Sequence, residues 1–347
     1  EKLAPGTVAS EGKSMMQNLL VWIRGNLFIP DARKFWIKPA TKTLKQYLKK
    51  NKIGAIVSTG PPHTTHVIAL NVARKCNIPW LADFRDPWTN IDFYHQLKLS
   101  KWADQKHQRL ELEVLNTANK VITVSWSWAE DFLNIAGKMP MVITNGYDPA
   151  DFVDAGKLKL DEKFTITHAG SLNDDRNPHA LWKALAELCE DETFANDLEL
   201  KFIGQVAPIA IAELTQKGLF NQLTSIDNLP HNKVVEVLMK SQLLLLPLND
   251  TPNIDGVVPG KLYEYIGAKR PIVCIGKTTG DASKIIQATN AGKVSDFEDV
   301  DTLKDTLKHY YELFKKNELK VASKDYEKYS RKLLAGQIAE ELNKIAQ

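Results

Sequence analysis

Leu243-Leu244-Leu245-Leu246-Pro247-Leu248, followed by Asp255-Gly256-Val257-Val258-Pro259-Gly260-Lys261-Leu262-Tyr263-Glu264, is the stretch whose reading decides the fold. An unbroken apolar run bounded by turn residues predicts a strand buried on both faces, as parallel sheets require. The second segment predicts a loop and then a helix opening near Lys261. Strand, loop and helix in that order form half of a βαβ unit.

The same alternation extends in both directions. Toward the N-terminus, residues 55–58, 79–83, 120–124 and 141–144 read as strands, and 64–76, 101–118 and 126–136 as helices. Around the decisive stretch, 164–168, 198–203 and 271–275 read as strands. Helices are expected over 178–190, 231–240, 261–268, 281–288, 301–316 and 330–346, with Asn177 capping the first ahead of Pro178. Residues 148–163 lack periodicity and predict a linker. The expected architecture is therefore α/β, with two Rossmann-like doubly wound domains facing across a cleft. The first domain spans 1–150, with 330–347 crossing back onto it. The second spans 151–329.

The totals agree with a soluble two-domain protein. The chain has 347 residues, 44% hydrophobic and 25% charged, with a net charge of only +3. That balance gives no argument for nucleic acid as a partner. The charge is uneven, however: residues 1–60 hold eleven Lys or Arg against Glu1, Glu11 and Asp31. Cys76, Cys189 and Cys274 are too far apart for a disulfide framework or a metal site, which fits a reducing cytoplasm. No apolar run reaches the roughly 18 residues of a membrane span. No secretory signal is visible. The chain opens at Glu1 without a methionine, which predicts that sequence precedes it.

Strand-end loops are where chemistry is expected in such folds. Gly256 and Gly260 permit close backbone approach, the helix start offers free N–H groups, and Lys261 adds a full charge. Together they suit a diphosphate. Glu264, one turn into the helix, is placed to accept hydrogen bonds from two ribose hydroxyls. The competing reading is a turn-rich loop with a solvated Lys and Glu. Arg176, in the loop opened by Gly170 and Ser171, has two readings as well: a bidentate phosphate contact, or a surface ion pair with Asp174 or Asp175.

Taken together these residues resemble the GT-B glycosyltransferases of family 4, in particular a bacterial surface-polysaccharide branch. Ser58-Thr59-Gly60-Pro61-Pro62-His63, the run from Trp80 to Trp88 and Ile143-Thr144-Asn145-Gly146-Tyr147-Asp148 are similar to its N-terminal domain. His168-Ala169-Gly170-Ser171, Pro259-Gly260-Lys261-Leu262-Tyr263-Glu264-Tyr265 and Gly280-Asp281 are similar to its C-terminal domain. The resemblance implies a donor of the UDP- or GDP-sugar type, bound without a metal or other cofactor, and a retaining transfer. It places Arg176 on the donor diphosphate and Glu264 on the ribose. It places Leu229, Pro230 and His231 along the base pocket. Gly170, Ser171 and the run Gly256-Val257-Val258-Pro259-Gly260-Lys261 complete the donor side. Pro62, Arg85 and Asn145 fall on the acceptor side. The chain departs from the pattern in two places. Gly256 stands where the family has the first Glu of a pair, leaving only Asp255 beside it, and Ser171 stands where an arginine is usual. The family's first strand and its glycine-rich loop, which helps form the acceptor side, are not matched in this chain.

Two residues are candidates for acceptor chemistry. Asp86 either orients and deprotonates the acceptor hydroxyl or belongs to a network around Arg85. His63 either acts as a base or merely starts a helix. His66 and His168 read as structural. Asp299-Val300-Asp301 reads as helix capping rather than a metal motif. Residues 34–52 carry seven lysines and no acid, with Phe35, Trp36 and Tyr47 among them. They read either as a contact with an anionic bilayer or as a solvated helix face. The expected activity is transfer of a sugar to a glycan or lipid-linked precursor of a cell-surface polysaccharide, in the cytoplasm or on the inner face of the plasma membrane. A nucleotide-sugar 2-epimerase and a non-catalytic nucleotide-sugar-binding domain pair are the alternatives.

Overall fold

Apolar runs alternating with amphipathic ones fold into two separate parallel sheets, each flanked by helices. The computed structural model describes residues 15–152, 158–321 and 323–346. By contacts the chain divides into one unit of residues 1–144 with 335–347 and a second of residues 145–334.

The first unit opens with α1 (Met15–Leu27) and α2 (Ile37–Lys50). Then follow β1 (Ile56–Gly60), α3 (Thr64–Cys76), β2 (Trp80–Phe84), α4 (Lys101–Thr117), β3 (Lys120–Thr123), α5 (Trp126–Ala136) and β4 (Met141–Val142). The strands lie in sequence order and all pair in parallel. Trp80, Leu81 and Ala82 of β2 are fully buried, so this strand forms the middle of the core. A buried polar chain stitches the layers: Trp80 Nε1 donates to Ser58 Oγ at 2.9 Å, and Ser58 Oγ meets His66 Nδ1 at 2.7 Å. His66 is thus a core residue bonded through Nδ1, its buried Nε2 left without a partner among the described residues and its pKa driven down by burial. Serines cap α4 and α5, accepting from the Ala103 and Trp128 amides.

The second unit contains β5 (Phe164–Ala169), α6 (His179–Leu188), α7 (Glu192–Asp197), β6 (Leu198–Ile203), α8 (Pro208–Gln216) and β7 (Leu223–Ile226). Next come α9 (His231–Lys240), β8 (Leu243–Pro247), α10 (Gly260–Ala268), β9 (Ile272–Ile275), α11 (Asp281–Thr289), β10 (Gly292–Ser295) and α12 (Val300–Lys315). The sheet order is β10-β9-β8-β5-β6-β7. Successive residues of β8 point into opposite cores, Leu243 and Leu245 toward one and Leu244 and Leu246 toward the other. The all-leucine run is therefore the mark of a strand sandwiched between two helical layers, α6 and α12 on one side and α9, α10 and α11 on the other.

Three readings shift on contact with the structure. The unit boundary falls at 144/145, ahead of the expected linker, because Tyr147 is buried in the second unit's core with Phe152 against its ring. Residues 153–157 of that stretch lie outside the described residues. The last helix, α13 (Arg331–Ile345), starts in the second unit, and its residues from 335 onward belong to the first, where Glu341 pairs with Lys120 at 2.6 Å. Asn177 does not cap α6. Its side-chain oxygen accepts from Trp182 Nε1 at 2.6 Å and its amide donates to Glu213 at 2.8 Å, so Pro178 takes the cap position. Asp299 does cap α12, accepting from the Thr302 amide at 3.0 Å.

Candidate functional site

Strand β5 lies between β8 and β6, so the chain leaves it in one direction and returns on its other flank. At such a switch point the loops after adjacent strands diverge and open a crevice at the carboxyl ends. The residues after β5 and β8 are Gly170 and Leu248-Asn249, with α10 following the latter. Gly170 has φ +116°, a conformation that side chains disfavour. A β-carbon on it would stand 2.6 Å from Lys261 Nζ, so the ammonium occupies the space that the missing side chain leaves.

Arg176, in the β5–α6 loop, donates through Nε to Asn249 Oδ1 at 2.6 Å, just past the end of β8. Burial, and then the charge of Arg176, lower the Lys261 pKa to about 8, against an opposing pull from Glu264. His168, buried beneath, is held neutral by burial and by Lys261, with a pKa of about 3; its Nδ1–H donates to the Leu245 carbonyl at 3.0 Å. The Tyr265 hydroxyl accepts the Ala169 amide at 3.0 Å, tying α10 to the end of β5. No side chain caps α10, whose first residue is Gly260, and a β-carbon there would meet open space. A partly buried ammonium against a glycine, a second cation near enough to lower its pKa, and uncapped helix N–H groups are the elements from which an anion site is built.

The remaining donor-side residues are distributed as follows. Glu264 is partly exposed and lies close enough to Lys261 to perturb it. Ser171 is exposed. Gly256 is buried in a 3₁₀ turn, with Val257 and Val258 packed against the core and Pro259 leading into α10. Asp255, the neighbour of the missing Glu, is held by Lys277 at 2.6 Å, so its carboxylate is already engaged. Leu229 and Pro230 precede α9, and His231 at its start pairs with Asp151 at 3.2 Å. Arg176 also lines a pocket of about 540 Å³ beside α6 and α8, to which Lys261 and Glu264 do not contribute.

The first unit has its own cavity, about 680 Å³, at the ends of β1 and β2. Pro62, His63 and Asp86 line it together with Asp31, Trp88 and Tyr94. The His63 ring stacks on Trp88 at 4.6 Å and 4°. Burial lowers its pKa to about 4, which leaves it neutral and weakly basic. Burial raises the Asp86 pKa, and Arg85 opposes that shift. Arg85 itself does not line the cavity. Its guanidinium donates to the Pro61 carbonyl at 2.8 Å and its amide to the Gly60 carbonyl at 3.1 Å, fastening the two loops together. Asn145, read on the acceptor side of the first domain, is the exposed first residue of the second unit.

Four residues of these sites were not singled out in the sequence. Asn249 and Tyr265 position Arg176 and α10, and Lys277 holds Asp255. Asp31 accepts both the amide and the hydroxyl of Thr64 at 2.8 Å, capping α3 from 33 residues away. Asn249 had a signal in its place just past a buried strand, and Tyr265 in the motif from Pro259 to Tyr265. The others are contacts between distant segments.

No family model and no curated protein sequence matches this chain. Solved structures do. Sucrose-phosphate synthase from Thermosynechococcus elongatus superposes with a TM-score of 0.64 at 14% identity, over 90% of this chain and 79% of that one. Anabaena HepE in complex with UDP-glucose superposes with a TM-score of 0.62 at 16% identity, over 88% and 82%. A UDP-forming trehalose-phosphate synthase from Burkholderia xenovorans gives 0.65 at 12%, over 90% and 79%. At these identities the likeness is one of fold: the chain has the GT-B architecture of two Rossmann-like α/β units.

Proposed function

We propose that this chain is a glycosyltransferase that takes a sugar from a nucleotide-diphosphate sugar, the UDP or GDP type, bound to the second unit. The ammonium of Lys261 against Gly170, at the open start of α10 and close enough to Arg176 to feel its charge, carries this reading. When the glycosidic bond to the donor breaks, negative charge accumulates on the leaving diphosphate. Fixed cations and helix N–H groups aimed at it stabilise that charge more than the ground state. Charge neutralisation is thereby assigned to protein groups, and Glu264 to the ribose hydroxyls. Structural neighbours bind such donors, HepE among them with UDP-glucose.

The acceptor is assigned to the cavity of the first unit. Tyr94 offers a partly exposed aromatic ring to a sugar, and Asp86 is the group that orients the attacking hydroxyl. Neutral, stacked His63 serves better as a support for Trp88 than as a base. A lipid-linked acceptor and peripheral attachment to the inner face of an anionic membrane fit the exposed Phe35, Trp36 and Tyr47 among the lysines of 34–52. Among the described residues no helix is long and apolar enough to cross a membrane.

The test is nucleotide release from a panel of UDP- and GDP-sugars, with and without a lipid-linked glycan acceptor, for the wild type and Glu264→Ala. Acceptor-dependent release that Glu264→Ala abolishes supports transfer. Conversion of the sugar to its epimer without acceptor identifies an epimerase instead, and binding without turnover a nucleotide-sugar-binding pair.

A further inference from the structure

Helix α2 carries Lys38, Lys42, Lys45 and Lys49 at spacings of four, three and four residues, which aligns them along one side. With Lys75 of α3 they line a groove of about 340 Å³ between the two helices, and no carboxylate contributes to its walls. Nor is one near in sequence, since no Asp or Glu occurs between Asp31 and Asp83. Arg74, the neighbour of Lys75, pairs with Glu113 at 3.3 Å. The five groove lysines have no carboxylate partner among the described residues. Thr41 lies in the groove wall, 7% exposed, with a hydroxyl that no described protein group partners.

Like charges at these spacings oppose helix formation. Lys49 and Lys75 fall in last turns, where a helix favours cations, but Lys38, Lys42 and Lys45 do not. A concave surface that gathers ammonium groups without counter-ions is suited to a multiply charged anion, to which lysine binds as a point charge. The volume is at the small end of ligand sites. We propose that the α2–α3 groove binds a phosphate-bearing group of the size of a diphosphate, either free in solution or as a lipid headgroup. The site lies in the first unit and is independent of the donor reading.

The test compares the full chain with its triple variant Lys42→Gln, Lys45→Gln, Lys49→Gln at low ionic strength. Both carry Lys261→Ala, so the cations of the second unit do not dominate the response. Circular dichroism confirms that the variant is folded. Inorganic pyrophosphate is expected to shift backbone amide resonances of α2 and the end of α3. Its affinity is expected to fall about tenfold in the triple variant and to return when the same lysines are changed to Arg. In a second arm, co-sedimentation with phosphatidylcholine vesicles is compared with and without phosphatidylglycerol. A pyrophosphate response identifies a site for a soluble phosphate. Phosphatidylglycerol-dependent binding that the triple variant loses, without a pyrophosphate response, identifies a headgroup. If pyrophosphate leaves α2 and α3 unshifted and the triple variant binds vesicles like its parent, the proposal is overturned. A failure here leaves nucleotide binding by the second unit untouched.

Discussion

The ammonium of Lys261 stands over the α-carbon of Gly170, 2.6 Å from where a β-carbon would be. The glycine directly follows β5 and the lysine is the second residue of α10, so the contact joins segments that follow different strands. Gly170→Ala must therefore displace the lysine and also hold alanine at φ +116°. The expected outcome is a loss of about 1–3 kcal/mol in stability, read by thermal unfolding, together with weakened nucleotide binding. Unaltered binding would separate Gly170 from the site.

The depressed Lys261 pKa sets a pH limit on donor binding. With a pKa of about 8 in the free protein, the ammonium is mostly present at pH 7.5 and mostly absent at pH 9. A nucleotide-sugar diphosphate keeps its charge over that interval. Affinity for the donor is expected to fall about eightfold between those two pH values, following the protonated fraction. Lys261→Arg should flatten the profile, since arginine stays charged. A titration series across the interval checks both.

Buried neutral histidines predict acid lability. His63 and His168 have pKa values of about 4 and about 3, lowered chiefly by burial. A folded-state pKa below that of the unfolded chain means that the unfolded state takes up protons first as pH falls. Stability is therefore lost below about pH 6.5, by about 1–2 kcal/mol for each histidine at pH 5. Thermal melts between pH 7 and 5 should show it, and His168→Gln should shallow the slope.

Asp31 fixes the start of α3 through two hydrogen bonds to Thr64. Asp31→Ala is expected to cost about 1–2 kcal/mol, the range of a lost helix cap. Because Asp31 also lines the first unit's cavity, acceptor turnover should decline with it. Denaturant unfolding and a fixed-donor assay measure the two effects separately.

Elements with strong periodicity were legible in the sequence. The leucine run of β8 and the helices at 231–240 and 261–268 fall within a residue or two of expectation. Two strands were not legible. Leu223–Ile226 and Gly292–Ser295 are four-residue edge strands, partly exposed, and too short to carry an alternation. The candidate anion site was half legible. Lys261 and Gly260 share one local pattern, whereas Asn249 on Arg176, Tyr265 on Ala169 and Lys277 on Asp255 join residues 22 to 96 positions apart, and such pairings can be read only once the sheet order is known.

Calorimetric titration of UDP and GDP into the wild type, Lys261→Ala and Arg176→Ala tests the central claim most directly. One nucleotide should bind the wild type, and each substitution should weaken it about 10- to 100-fold, as loss of a charged hydrogen-bond donor does. The parent nucleosides, which lack the phosphates, should bind all three proteins alike. Nucleotide affinities that survive both substitutions would contradict a diphosphate site at Gly170.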